Sequence, residues 1–258
     1  MSDKAKKKVR IIKKEFLQEN ICSMGIEDRE LAETAVPMQF ASFYCKDGSR
    51  LLPRPISICE IDKEAGAIRI VFRVAGDGTK EISEMEVNDT IEVLGPLGNG
   101  LNPLPEVDEV ILVGGGIGIP PILEASKQLK CKKNIVLGYR NADTFLLDEF
   151  KKYGDVYIST EDGSLGTKGF VTDAIKENGL KGKLIIACGP APMLKGLKNT
   201  ADSMNIRALV SMEERMACGI GACLACVCKT KDKHEHTNVH NACVCKDGPV
   251  FWADEIEL

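Results

Sequence analysis

Six of the chain's eleven cysteines fall between Cys218 and Cys245. So dense a run of thiols limits what the end of the chain can become. The segment after Asn205 is roughly fifty residues long and rich in Cys and Gly, too small to bury the apolar surface that independent folding requires. It needs a metal staple or a neighbour to pack on. A disulfide framework would need an oxidising compartment. The one basic run, Lys4 to Lys8 with Arg10, is not followed by an apolar stretch of the length a secretory signal requires, and it reads as a solvated tail before the first strand. The thiols are therefore expected to be reduced and to bind metal.

Cys218, Cys223 and Cys226 give C-x4-C-x2-C, the spacing of plant-type 2Fe–2S sites, in which a fourth cysteine lies further along the chain. Two sulfide-bridged irons need four thiolates, and the backbone must wrap closely around them. Gly219 and Gly221, with the small Ala217, Ala222 and Ala225, supply that freedom. A structural zinc site usually shows two C-x2-C knuckles, and the first three ligands contain one. A Rieske centre needs two histidines on one iron; His234, His236 and His240 lack the spacing and read as surface loop residues. Cys228, Cys243 and Cys245 remain for the fourth position. Cys228 is expected on the strand leaving the loop, and spacing does not separate Cys243 from Cys245.

With 258 residues and 44% apolar composition, the chain has room for two or three domains with cores of their own. Its formal charge of −4 comes without the clustered Lys/Arg that a nucleic acid would need. No stretch approaches the length of a membrane span. A soluble cytoplasmic protein is expected. Short β segments such as Gln39–Tyr44, Ile56–Ile61 and Ala67–Val74 predict an N-terminal antiparallel β-barrel over 8–102. After Pro103 and Pro105 the pattern changes to buried strands (109–114, 134–139, 156–160, 184–188) alternating with helical stretches (119–129, 147–153, 171–178, 193–203). That alternation predicts a parallel α/β nucleotide-binding domain over 103–205. The cysteine-rich segment, 206–258, forms the third domain.

Two glycine turns point to a dinucleotide. Ile111 to Pro121 is a buried strand, a turn containing Gly114, Gly115, Gly116 and Gly118, and a helix opened by Pro120 and Pro121, so that backbone donors meet a pyrophosphate. The prolines depart from the usual G-x-G-x-x-G/A pattern. Cys188-Gly189-Pro190 closes the last strand of the same domain, where ligands of such sheets collect. The Cys188 thiol is expected either beside the nicotinamide as the reactive-site thiol or as a small buried side chain. Glu161 and Asp162 follow the third strand, either to bind a ribose hydroxyl or to form a solvated turn; they would repel a 2′-phosphate that Arg140 would attract. In the first domain Arg54-Pro55-Ile56-Ser57 places a permanent cation and a hydroxyl at a strand entry, suited to a diphosphate and a flavin edge.

In order and spacing, Arg54–Ser57, Gly78-Thr79, Gly95–Gly100, Gly114–Pro121 and Cys188–Pro190 resemble the ferredoxin–NADP reductase superfamily over essentially the whole chain. Within it, Met216–Cys223 and Lys246–Phe251 resemble the electron-transfer subunits of class 1B dihydroorotate dehydrogenases. The resemblance implies FAD in the barrel, NAD in the second domain and a C-terminal 2Fe–2S cluster. It implies Val71, Phe72, Arg73, Gly78 and Thr79 as flavin contacts and Cys245 as the fourth cluster ligand. It also implies an FMN-containing catalytic subunit as partner, in a heterotetramer of two of each, on which dihydroorotate is oxidised in pyrimidine biosynthesis. Two rival readings remain: another multi-subunit reductase of the superfamily, and a zinc-stapled nucleotide sensor without redox turnover.

Overall fold

In the first strand Val9 and Ile11 are buried while Lys8 and Arg10 face solvent, the two-residue period of a half-buried β-strand. The computed structural model describes residues 5–258, so Lys4 of the basic run lies outside the described residues. β1 (Lys7–Gln18) and β2 (Ile21–Glu27) form an antiparallel hairpin, followed by α1 (Arg29–Thr34), β3 (Phe40–Tyr44), β4 (Arg54–Asp62), β5 (Ala67–Arg73), α2 (Asp77–Glu84) and β6 (Thr90–Leu97). These strands close a six-stranded antiparallel barrel in the order β1-β2-β5-β4-β3-β6 around Met24, Phe43, Ile58 and Ile70. The expectation of a solvated tail is corrected here. Lys7 and Lys8 belong to β1, and Lys7 Nζ reaches Asp28 at 2.9 Å and Glu30 at 3.1 Å.

The second unit runs β7 (Glu109–Gly115), a 3-10 turn at Gly116–Gly118, α3 (Ile119–Gln128), β8 (Lys132–Tyr139), α4 (Leu147–Phe150), β9 (Asp155–Thr160), β10 (Thr167–Lys168), α5 (Val171–Glu177), β11 (Leu184–Cys188), α6 (Ala191–Ser203) and β12 (Arg207–Ser211). β7 and β11 are apolar along nearly their whole length because helices cover both faces of a parallel sheet. The chain steps outward from β7 to β8 and β9, then returns to lay β11 against the other side of β7. A crevice opens at such a reversal, at the carboxyl ends of the strands. Because β12 pairs in parallel with β11, the sheet runs past residue 205, where the sequence puts the end of the second domain.

The cysteine-rich segment folds as a small antiparallel pair, β13 (Val227–Lys229) with β14 (Asn241–Cys243), and then β15 (Val250–Trp252). β15 adds antiparallel to β12 and becomes the last strand of the central sheet. Phe251, Val244 and Cys245 share one core with Ile111 and Val113 of β7 and with Phe40, Leu94 and Leu97 on the outer face of the barrel. The neighbour that this segment requires is thus both other units.

Candidate functional site

The loop from Cys218 to Cys226 lies on the outside of β3 and β6. Gly219 and Gly221 have φ of +72° and +83°, the left-handed region that L side chains rarely adopt. A Cβ on Gly219 would stand 3.1 Å from Leu97 Cδ1 and 3.4 Å from Ser42 Oγ. Turned this way, the loop aims its amides at sulfur: Ile220, Ala222 and Cys223 N–H donate to Cys218 Sγ at 3.3–3.4 Å. Gly221 N–H donates to Cys245 Sγ at 3.1 Å, and Cys245 N–H donates to Cys226 Sγ at 3.4 Å. Burial alone would push the Cys218 thiol up, but the Ile220, Cys223 and Ala222 amides bring it down to about 6. Burial and the adjoining Cys226 sulfur hold Cys245 well above the usual thiol range.

Of the other two candidates, Cys228 lies buried in β13 opposite Ala242, on the strand leaving the loop, as its interval suggests. Cys243 ends β14, and its N–H donates to Asp247 Oδ2 at 2.7 Å. Ser42 Oγ, in a residue with no exposed surface, has no hydrogen-bond partner. Four thiols, a set of convergent amides and a spare buried hydroxyl make a donor set that fits an iron–sulfur cluster.

The residues expected at the flavin line a split in the barrel. Arg54–Ser57 of β4 pair with β3, whereas the β4–β5 register stops at Ile58↔Ile70. Val71, Phe72 and Arg73 therefore pair with β2 and have left β4. Val71 and Phe72 are buried in two different cores, so they present backbone rather than side chain to the split. The Arg54 guanidinium lies over the start of α2, where a Cβ on Gly78 would sit 2.1 Å from Nε. Thr79 Oγ1 is committed to its own turn, accepting from Ala75 N–H and Gly76 N–H. A cation over a helix start whose amides are unencumbered by side chain suits a diphosphate.

At the reversal of the sheet lies a cavity of about 910 Å³, bordered by Gly115, Gly116, Arg140, Glu161, Pro190 and Met193. Gly114 and Gly118 serve packing instead: a Cβ on Gly118 would meet the Cys188 carbonyl oxygen at 2.3 Å, so only glycine lets α3 start against the end of β11. Gly189 likewise lies under Met193. Cys188 is 1% exposed, and burial pushes its thiol up to about 12. Of the two acids, Glu161 borders the cavity, while Asp162 accepts from Ser164 N–H and Oγ and closes its own turn. Sequence reasoning missed Ser159, whose buried Oγ has no partner beside the cavity, and the β1–β2 turn at Gln18–Asn20, which forms the opposite wall. Arg73, expected at the flavin, also borders this cavity, with Nη2 3.6 Å from the position of a Gly116 Cβ. A crevice with glycine backbone, an orphaned hydroxyl and charged rims fits a dinucleotide.

Comparison with known proteins agrees with this layout. Residues 213–257 match the model of the iron–sulfur cluster binding domain of dihydroorotate dehydrogenase B, and residues 112–199 match the oxidoreductase NAD-binding domain. A solved structure of an NADH-dependent reduced ferredoxin-NADP oxidoreductase superposes with a TM-score of 0.85 at 30% identity, over 96% of this chain and 89% of that one. A Neisseria gonorrhoeae ferredoxin NADP+ reductase with bound FAD and NADP shares the fold, with a TM-score of 0.65 at 15% identity over 77% of this chain and 91% of that one. The dihydroorotate dehydrogenase B (NAD(+)) electron transfer subunit of Fusobacterium nucleatum is 45% identical over 246 residues, 91% of this chain and 92% of the relative. The chain belongs to that family. Its Bacillus pumilus relative is 48% identical over 214 residues, 81% of either chain. The family's cluster-binding region begins in this chain immediately after β12, where the parallel sheet ends.

Proposed function

We propose that the chain carries electrons between the FMN of a dihydroorotate-oxidising subunit and NAD+, holding a 2Fe–2S cluster and FAD along the way. The observation that carries this reading is the seating of the cysteine loop on β3 and β6 of the barrel, which puts cluster thiols and flavin split on one small body. When bound, FAD supplies the conversion between single-electron and hydride transfer.

The chain's own residues do the holding. Cys218, Cys223, Cys226 and Cys245 ligate the cluster; the Gly221 N–H to Cys245 Sγ supports Cys245 over Cys243. Arg54 and the start of α2 bind the flavin diphosphate, and Gly115 and Gly116 admit the pyrophosphate of NAD. Arg73, facing both sites, aligns the two cofactors. Cys188 stays protonated and acts as a close wall rather than a nucleophile. Glu161 accepts from a ribose hydroxyl and disfavours a 2′-phosphate. The catalytic subunit joins in a heterotetramer of two of each chain. All eleven cysteines are free, which suits the reducing cytoplasm, and among the described residues no helix is long and apolar enough to cross a membrane.

The test is reconstitution. Loaded with FAD and cluster, the isolated chain is expected to pass electrons from NADH to an artificial acceptor and to leave dihydroorotate untouched. Adding the FMN subunit is expected to yield dihydroorotate-dependent NAD+ reduction. Dihydroorotate turnover by the isolated chain would overturn the division of labour. Copurification from the host with a large FAD- and 4Fe–4S-bearing partner would favour the reading that the 0.85 TM-score match raises.

A further inference from the structure

One histidine, one acid and the spare cysteine of the last domain, none of them assigned to the cluster, converge. His236, Cys243 and Asp247 each offer one donor atom, and the three atoms lie within 4.8 Å of one another. We infer that these side chains form a second metal site, separate from the cluster thiols, that takes one divalent ion of the zinc class.

The geometry is that of ligands around a small ion. His236 Nδ1 stands 3.1 Å from Asp247 Oδ2; His234 Nδ1, 3.8 Å from the same oxygen, accepts from His236 N–H at 3.4 Å, which leaves the fourth position of the ion to solvent. Asp247 is fixed before any ion arrives: its Oδ2 accepts from Cys243 N–H at 2.7 Å, and its own N–H donates back to Cys243 O at 2.7 Å. Such outer hydrogen bonds set the direction of a ligating carboxylate. The donor set selects the ion. A thiolate is a poor ligand for magnesium or calcium, whereas sulfur, imidazole and carboxylate together in a four-coordinate site suit zinc. An ordinary capped turn accounts for the Asp247 bonds, but not for an imidazole and a buried thiol gathered on the same carboxylate.

The site abuts the cluster loop. A Cβ on Gly221 would lie 3.3 Å from His236 Cε1, and Gly221 is the residue whose N–H reaches Cys245 Sγ. A bound dication is among the largest local charges a site can hold. Zinc displaces the Cys243 thiol proton to solvent as it binds, so the site gains one net positive charge, which stabilises the reduced, more negative cluster and raises the cluster's reduction potential.

The test uses the full chain loaded with cluster and FAD, dialysed against zinc chloride, with zinc and iron counted on one sample. One zinc per chain is expected to be taken up with no loss of iron, and the potential to rise on its addition. His236→Ala, at an exposed position where folding is not at stake, and Cys243→Ala are each expected to weaken zinc retention by more than about tenfold at unchanged iron. Cys228→Ala is expected to leave it intact. X-ray absorption at the zinc edge should show one sulfur at about 2.3 Å among nitrogen and oxygen neighbours. Zinc uptake indifferent to His236→Ala, or uptake that rises only as iron falls, or a shell of three or four sulfurs, would overturn the site. The iron count reports separately on the cluster.

Discussion

Ser42 shows how much a single atom can tell. Its hydroxyl is buried without a partner and faces the cysteine loop at Gly219, so it is free to donate toward the cluster, a bond that strengthens as the cluster gains an electron. Ser42→Ala is expected to lower the cluster potential by about 40 mV for each kcal/mol by which that bond strengthens on reduction, read by redox titration with electron paramagnetic resonance, at unchanged iron content. Cys245→Ala is expected to abolish that resonance, while Cys228→Ala preserves it. A collision is the means at Gly78, where a Cβ would strike Arg54; Gly78→Val is expected to lose FAD on gel filtration while NAD binding persists. Alkaline pH should act through Cys59 and Cys188, whose thiols burial holds high, Cys188 up to about 12. Unfolded thiols ionise near about 8.5, so above that value the unfolded chain binds fewer protons than the native one. Stability is therefore whole below about pH 8.5 and falls by up to about 1.4 kcal/mol per pH unit per thiol above it, a decline that denaturant titrations at pH 8, 9 and 10 would reveal.

Among the elements, the short β15 has the largest consequence for its length. It carries Phe251 into the core shared by all three units, where a Cβ on Gly248 would meet the Phe251 ring at 2.3 Å. Phe251→Ala is expected to destabilise the protein by about 3 kcal/mol, measured by urea unfolding. β15 was also the element least legible beforehand. Its three residues fall in a cysteine-rich stretch with no repeat of hydrophobic period, and only pairing with β12 makes them a strand. Arg207–Ser211 escaped for a related reason: it follows the last helix without a glycine turn to announce it. What the sequence did make readable was local. The continuous apolar runs of β7 and β11, the glycine turn ahead of α3 and the C-x4-C-x2-C loop each carry their chemistry within a few neighbouring residues. The Gln18–Asn20 wall, the Ser42 hydroxyl and the His236–Cys243–Asp247 cluster depend on which distant surfaces meet.

At the scale of the molecule, barrel and sheet are fastened by polar contacts across their junction. β3 ends before Ile61, leaving its N–H without a strand partner, and Glu124 of α3, 1% exposed, takes it at 2.7 Å. Arg69 of β5, held at 3.0 Å by Glu60 of the neighbouring β4, adds Glu149 of α4 at 2.7 Å. Glu124→Ala strands that buried amide, at a cost of about 1–3 kcal/mol, and is expected to lower the single unfolding midpoint rather than split the transition in two. The third unit is joined to the sheet by the β12–β15 edge, and there the chain's one tryptophan, Trp252, stacks beneath the Arg207 guanidinium at 3.8 Å. Release of the C-terminal segment would move that indole from a cation and a sheet edge into water, shifting its emission to the red. In apoprotein free of flavin quenching, the molecule thus carries its own optical gauge of whether the cluster-bearing segment has docked.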